Sequence, residues 1–380
     1  MNENKILITG GAGFIGSNLA LKLIEKGWRV TVLDTLSPQV HGTDPERDSP
    51  LYQRIAGKVD FLQGSVTSRE DLRNAIKGQS VIVHLAAETG TGQSMYEIER
   101  YSDVNIGGTS KLLDLLANEP HGVRKLVVAS SRAIYGEGRY QHESLGYVYP
   151  AQRQDKDMAK GDYECKFGEA PVQLGLVGTD EESKLHPTSV YGITKQVQEQ
   201  LVMTVCPVLG IVPVAFRYQN VYGPGQSLSN PYTGILSIFS TRILNGNDIV
   251  IFEDGKESRD FVFIEDVVDA TIMGIENPAA DHRVFNVGEG VPTDVLTVAK
   301  VLRESFGKDV NLVLSGNYRI GDIRHNYADL TRIRASLGFS PKWNFQTGIK
   351  AFVSWVKTQQ VQVDDYNKSI DEMKRKGLYK

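Results

Sequence analysis

The stretch Lys5–Gly16, KILITGGAGFIG, decides how this chain folds. Its first residues form an apolar run that reads as a buried strand. A glycine-rich turn follows and passes directly into FIGSNLALKLIEKG, whose apolar residues recur at helical spacing as far as Gly27. Strand, glycine turn and helix in that order make a phosphate cradle. Gly10 permits the tight turn, Gly13 lets backbone approach a pyrophosphate, and Gly16 lets the helix pack closely. The helix N-terminus then offers free N–H groups and a positive dipole end to the phosphates. The next strand, RVTVLD, ends in Asp34, about twenty residues on. A carboxylate there accepts hydrogen bonds from a ribose 2′-OH and repels a 2′-phosphate, which selects NAD over NADP.

The same alternation continues outward. VDFLQGS, SVIVHLAA and RKLVVASS read as strands, separated by the helical patterns SREDLRNAIKG and YSDVNIGGTSKLLDLLAN. Continuous apolar strands between helices argue a parallel sheet covered on both faces. Right-handed crossovers then make the fold α/β and doubly wound, with a smaller C-terminal α/β lobe for substrate. The expected division is a dinucleotide-binding domain over 1–220 and a substrate-binding lobe over 221–380, with 260–275 returning to the first domain. Residues 137–186 are rich in Gly, Pro, Gln and charge and read as a long insertion that is either functional, with Tyr, His and Cys residues available to cap a substrate, or poorly ordered. The polar tail after residue 360 reads as a solvated helix or a fray.

Composition narrows the function classes. Of 380 residues, 41% are hydrophobic and 23% charged, and 42 basic against 46 acidic side chains leave a formal charge of −4. No basic run calls for nucleic acid. No apolar run reaches membrane-spanning length, and the first residues enter a strand without room for a signal peptide. Two cysteines, Cys165 and Cys206, cannot make a disulfide framework, so a reduced, cytoplasmic protein is expected. Cys165 has no companion ligands for zinc and reads as a plain thiol, and no metal is expected. His84, inside a buried strand, reads as structural.

Tyr191 and Lys195, in YGITK, lie four residues apart and share a helix face. A phenol ionises near pH ~10. A lysine ammonium about 4 Å away contributes roughly 4 kcal/mol at an effective dielectric near 20, enough to lower that value by up to ~3 units. The expectation is a phenolate base near neutrality. Ser130 and Ser131 end the strand KLVVASS, followed by Arg132, Ala133 and Tyr135.

Taken together, TGGAGFIG, Asp34, HLAA, SSRAIYG and YGITK resemble the extended short-chain dehydrogenase/reductase family, and specifically its nucleotide-sugar members. RYQNVYGPG, GKESRDFVFIEDVV and GDIRHNYAD extend the likeness to about residue 350. The loops DTLSPQVHG and ETGTGQSMYEIERY, with the long insertion, resemble the dTDP-L-rhamnose 4-epimerase branch. The resemblance implies NAD as cofactor, a nucleotide-diphosphate sugar as substrate and a homodimer packed through helices near 101–118 and 190–206. It implies catalytic roles for Ser131, Tyr191 and Lys195. It places NAD on Gly10, Gly13, Phe14, Ile15, Gly16, Asp34, Ser65, Val66, Leu85, Ala86, Ala87, Ser130, Tyr191 and Lys195. It places substrate on Gly92, Gln93, Ser94, Ser131, Arg132, Asn220, Arg259 and Arg324, with the two latter arginines at the diphosphate. Ser65 stands where the family usually has an acidic residue near adenine. The implied reaction oxidises the sugar at C4 and reduces the keto sugar from its other face. UDP-glucose or UDP-N-acetylhexosamine is the alternative substrate, and a non-catalytic NAD-binding protein a further alternative. A 4,6-dehydratase needs an acid and a base at 132 and 133, where this chain has Arg132 and Ala133. A 4-reductase usually takes NADPH, which Asp34 disfavours.

Overall fold

Seven parallel strands form the central sheet of the computed structural model, which describes residues 4–168, 174–228, 230, 232 and 234–380. Across the sheet they run Arg283–Val287, Val212–Tyr218, Lys125–Ser131, Val81–His84, Lys5–Thr9, Arg29–Asp34 and Asp60–Gln63. The chain winds outward from Lys5–Thr9 in one direction and then returns to wind out in the other. The switch falls between Lys5–Thr9 and Val81–His84, where Thr9 is in register with His84. In such sheets the ligand crevice opens at the carboxyl ends of the strands beside that switch. Both flanking turns, at Gly10 and Leu85, therefore face one crevice.

The strands are apolar on both sides because helices cover both. Ile6 and Ile8 join one core cluster, while Leu7 between them joins the other. Helix Phe14–Glu25 buries Leu19 and Leu23 completely. Each such side chain contributes roughly 1.5–3 kcal/mol over exposure to water.

The lobe is built on a second sheet of Asn220–Tyr222, Ser258–Phe263 and Pro292–Asp294, with His325–Asn326 paired on Ser258–Phe263. The return to the first domain is longer than the expected 260–275. Helix Ile264–Glu276 packs on helix Phe14–Glu25, and Arg283–Val287 supplies the seventh strand of the main sheet. Local periodicity marks a short strand but not the sheet it joins.

The insertion is more ordered than its composition suggests. It contains a three-stranded antiparallel sheet of Tyr140–His142, Gly146–Val148 and Gly175–Leu176 and a short helix, Asp155–Met158. Buried Arg153 ties it to the lobe, donating to Glu253 Oε2 (2.8 Å) and to the Asp322 carbonyl (3.0 Å). Cys165 is buried in a small apolar cluster and accepts a hydrogen bond from the Tyr140 hydroxyl (3.3 Å). The tail is a helix, as one of the two expectations had it, with its polar face in solvent but its apolar face docked. Helix Tyr366–Arg375 buries Tyr366, Ile370 and Met373 against Ile238, Val250 and Phe252, and Tyr379 joins the same cluster. Among the described residues, no helix is long and apolar enough to cross a membrane.

Candidate active site

A cavity of about 630 Å³ opens at the switch point and runs under the lobe. The glycine turn forms one end. Gly10 has φ +70°, and a Cβ there would meet the Ala86 backbone at 2.8 Å. A Cβ on Gly16 would stand 2.4 Å from the Gly10 carbonyl oxygen, so both positions require glycine for the turn and helix to close. Asp34 accepts N–H groups of Ala12 (3.0 Å) and Leu36 (2.9 Å), which aim its carboxylate across the turn. His41 Nε2 lies 3.9 Å from Asp34, and burial lowers the pKa of this imidazole. Phe14, Ile15, Ser65, Val66, Leu85, Ala86, Ala87 and Ser130 complete this wall. Ser65 bonds Thr67 through its hydroxyl (2.8 Å) and Asp71 through its N–H (2.8 Å). The Ser130 hydroxyl is buried without a partner among the described residues. A backbone cradle that excludes side chains, a carboxylate at the end of the next strand and an orphaned hydroxyl fit a dinucleotide.

Ser131, Tyr191 and Lys195 all line the cavity. Helix Val190–Val208 starts at Ser189, whose hydroxyl accepts the Gly192 N–H (3.1 Å). Gly192 lets the helix come close to the end of the serine strand, since a Cβ there would meet the Ala133 carbonyl at 2.6 Å. That approach brings Tyr191 close enough to Ser131 for the serine hydroxyl to act on the phenol. Burial pushes the Tyr191 phenol up, while the Ser131 bond and the Arg132 charge pull it back. Buried Lys195 turns to Gln198 Oε1 (2.8 Å), and burial brings its ammonium down to about 7. Gln198 continues to Thr109 (2.8 Å), His84 (3.0 Å) and Thr9 (2.7 Å). His84 is satisfied on both ring nitrogens, and burial lowers its pKa to about 3.

The far end is cationic. Arg132 donates to Asn220 Oδ1 (2.7 Å), and burial and the neighbouring Arg259 charge lower it to about 10. Arg259 and Arg319 line the cavity with Asp322, which accepts from both (3.2 and 2.7 Å). These charges hold the Asp322 carboxyl well below the usual range despite its burial.

Several sequence expectations change here. Arg324 is not on the cavity wall. It is fully buried just before the strand His325–Asn326, bonded to Glu164 (2.6 Å), Asp254 (2.7 Å) and Glu253 (3.0 Å). Arg319, five residues earlier, stands at the cavity instead and was missed. Its only sequence signal is a second arginine beside the same GDIRHNYAD segment. Gly92, Gln93 and Ser94 lie behind the wall formed by Thr89, Gly90 and Thr91. Ser94 accepts the Tyr191 N–H (3.0 Å), and Gln93 accepts from Gln39 (3.1 Å), so both serve the scaffold. No described residue of the insertion reaches the cavity. Glu253, Asp254 and Glu257 have the spacing of a metal site, but the Arg324 guanidinium sits among them.

The model of the family described as "NAD dependent epimerase/dehydratase family" matches residues 6–154 and 165–288. A dTDP-L-rhamnose 4-epimerase of Burkholderia thailandensis is 37% identical over 359 residues, 94% of this chain and 96% of that protein. The crystal structure of a Thermotoga maritima UDP-glucose 4-epimerase with UDP-glucose superposes with a TM-score of 0.75 at 31% identity, covering 93% of this chain and 98% of that one. MoeE5, solved with UDP-glucuronic acid and NAD, gives a TM-score of 0.72 at 26% identity, covering 93% and 99%.

Proposed function

The chain belongs to the NAD dependent epimerase/dehydratase family, and from that premise we propose that it inverts C4 of a dTDP-6-deoxyhexose such as dTDP-L-rhamnose. It is a nucleotide-sugar 4-epimerase, an isomerase, and its cofactor is NAD. The choice of dTDP-L-rhamnose rests on the 37% identity to the Burkholderia thailandensis enzyme across nearly the whole of both chains. Against a 4,6-dehydratase stands the Ser131–Arg132–Ala133 turn, which carries no acid for proton work beside the tyrosine.

In this reading NAD lies on Gly10, Gly13, Gly16, Asp34 and Ser130, and when bound it supplies the hydride acceptor and donor at C4. Tyr191 takes the proton of the sugar 4-hydroxyl, directly or through Ser131, and returns it to the same oxygen when C4 is reduced from its opposite face. Ser131 donates to the oxygen that becomes a carbonyl. Arg132 favours the phenolate form of Tyr191 and fixes Asn220 toward the sugar. Arg259 and Arg319 clamp the diphosphate while the sugar turns between its two faces. Exposed Ile98 and Ile193, on adjoining helices, support a homodimer through this face, and sedimentation tests it.

The test adds no cofactor. Purified protein is incubated separately with dTDP-L-rhamnose, UDP-glucose and UDP-N-acetylglucosamine, and C4 configuration is followed by NMR. Inversion of the dTDP sugar is expected. Conversion of UDP sugars alone overturns the dTDP assignment, and loss of water in place of inversion overturns the epimerase.

A further inference from the structure

The last seventeen residues lie across the mouth of the cavity. Tyr366, Ser369, Ile370 and Met373 of helix Tyr366–Arg375 line it. On one side the segment is pinned to the lobe: Tyr318 and Lys380 exchange backbone bonds (2.9 and 3.1 Å), and Ile320 donates to the Leu378 carbonyl (3.0 Å). Tyr379 bridges Arg319 in that short ladder, and its ring lies 5.2 Å from Phe252. On the other side it touches the first domain. Met373 Sδ stands 3.6 Å from where a Gly92 Cβ would be, and Lys376 sits 5.7 Å above the Tyr96 ring.

Two polar groups at this end are left over. The Tyr366 side chain is 8% exposed, and its hydroxyl has no hydrogen-bond partner among the described residues. Arg319 Nε, close enough for its charge to act on Tyr366, has none either. A buried hydroxyl and a buried guanidinium N–H left unmatched each cost free energy unless a ligand meets them. Apolar Val250, Phe252, Ile370 and Met373 frame the same space.

With the sugar at Tyr191 and the diphosphate at Arg259 and Arg319, the group beyond the arginines is the nucleoside. We propose that the C-terminal helix is the outer wall of the nucleoside subsite, with the Tyr366 hydroxyl bonding the nucleoside and Ile370 and Met373 packing on it. The tail ladder is also a positioning element for Arg319. The proposal rests on the nucleotide-sugar reading, though not on the choice of dTDP.

The test is calorimetric titration of the NAD-loaded enzyme with dTDP and with UDP, beside KM and kcat for the nucleotide sugar. Tyr366→Phe, which keeps the ring on Arg242, is expected to raise Kd for the nucleoside diphosphate and KM about tenfold, with kcat falling much less. Ile370→Ala is expected to weaken nucleoside diphosphate in the same direction. Unchanged Kd in both variants overturns the proposal while leaving the epimerase intact. Failure of the parent enzyme to bind either diphosphate overturns the nucleotide-sugar reading beneath it.

Discussion

Replacing Arg324 with Met separates a structural arginine from one that serves substrate. The guanidinium is fully buried and bonded to Glu164, Glu253 and Asp254, of which Glu253 is itself 5% exposed. Removing one partner of a buried ion pair costs about 3–5 kcal/mol, because the other charge is left uncompensated. Arg153 stays 2.8 Å from Glu253 and keeps part of that compensation, so the low end, about 3 kcal/mol, applies. At about 2.1 cal/mol/K per residue, 380 residues have an unfolding entropy near 0.8 kcal/mol/K, and the loss corresponds to a Tm about 4 °C lower. KM should hardly move, because Arg324 does not line the cavity. Arg319→Met should do the reverse. It removes a charge-assisted contact to phosphate worth about 1.5–3 kcal/mol, raising KM roughly 10- to 150-fold, and lowers Tm less than Arg324→Met does, because Asp322 keeps its bond from Arg259. Scanning calorimetry and initial rates on the NAD-loaded proteins read both. An Arg324→Met protein with Tm within about 1 °C of the parent and KM raised about tenfold would refute the reasoning.

Tyr191→Phe should lower turnover about 10²–10⁴-fold while NAD stays bound, as read by nucleotide released on denaturation; near-normal turnover removes Tyr191 as the base. Asp34→Ala should shift cofactor preference toward NADP, measured as the ratio of the two dissociation constants, and an unchanged ratio removes its ribose role. Glu257 supplies a pH test. Burial and the nearby Glu253 raise its carboxyl to about 7, above the ~4.3 of an unfolded chain. The folded protein binds more protons between those values, so this contribution is full below ~4.3 and is lost as pH rises through about 7. Glu257→Gln should therefore gain more on the parent in urea melts at about pH 8 than at about pH 5, and equal gains at both would contradict the assignment.

The glycine turn and Asp34 were legible because their meaning is local: strand, turn and helix are contiguous, and Asp34 ends the next strand. The four-residue spacing of Tyr191 and Lys195 was legible for the same reason, and both reach the cavity with Ser131. What the lysine does there was not. Its ammonium turns to Gln198 and is brought down to about 7 by burial, while the charge of Arg132, fifty-nine residues before Tyr191 in the chain, acts on the phenol. Arg319 and Arg324 show the same limit. They sit five residues apart in an irregular segment without a periodicity to assign their faces. Arg324 is claimed by Glu164 and Glu253, 160 and 71 residues away, and only the docked insertion and lobe bring those acids together.

The sequence by itself determined the doubly wound sheet, the dinucleotide turn and the helix that carries Tyr191, because backbone geometry and apolar period act between near neighbours. The tertiary structure alone decided which arginines face the cavity, which cation faces the tyrosine, and that the polar tail forms a wall. Those outcomes depend on burial and on charges brought together from distant parts of the chain. The strength of an ion pair is set by the dielectric and the distance that packing creates.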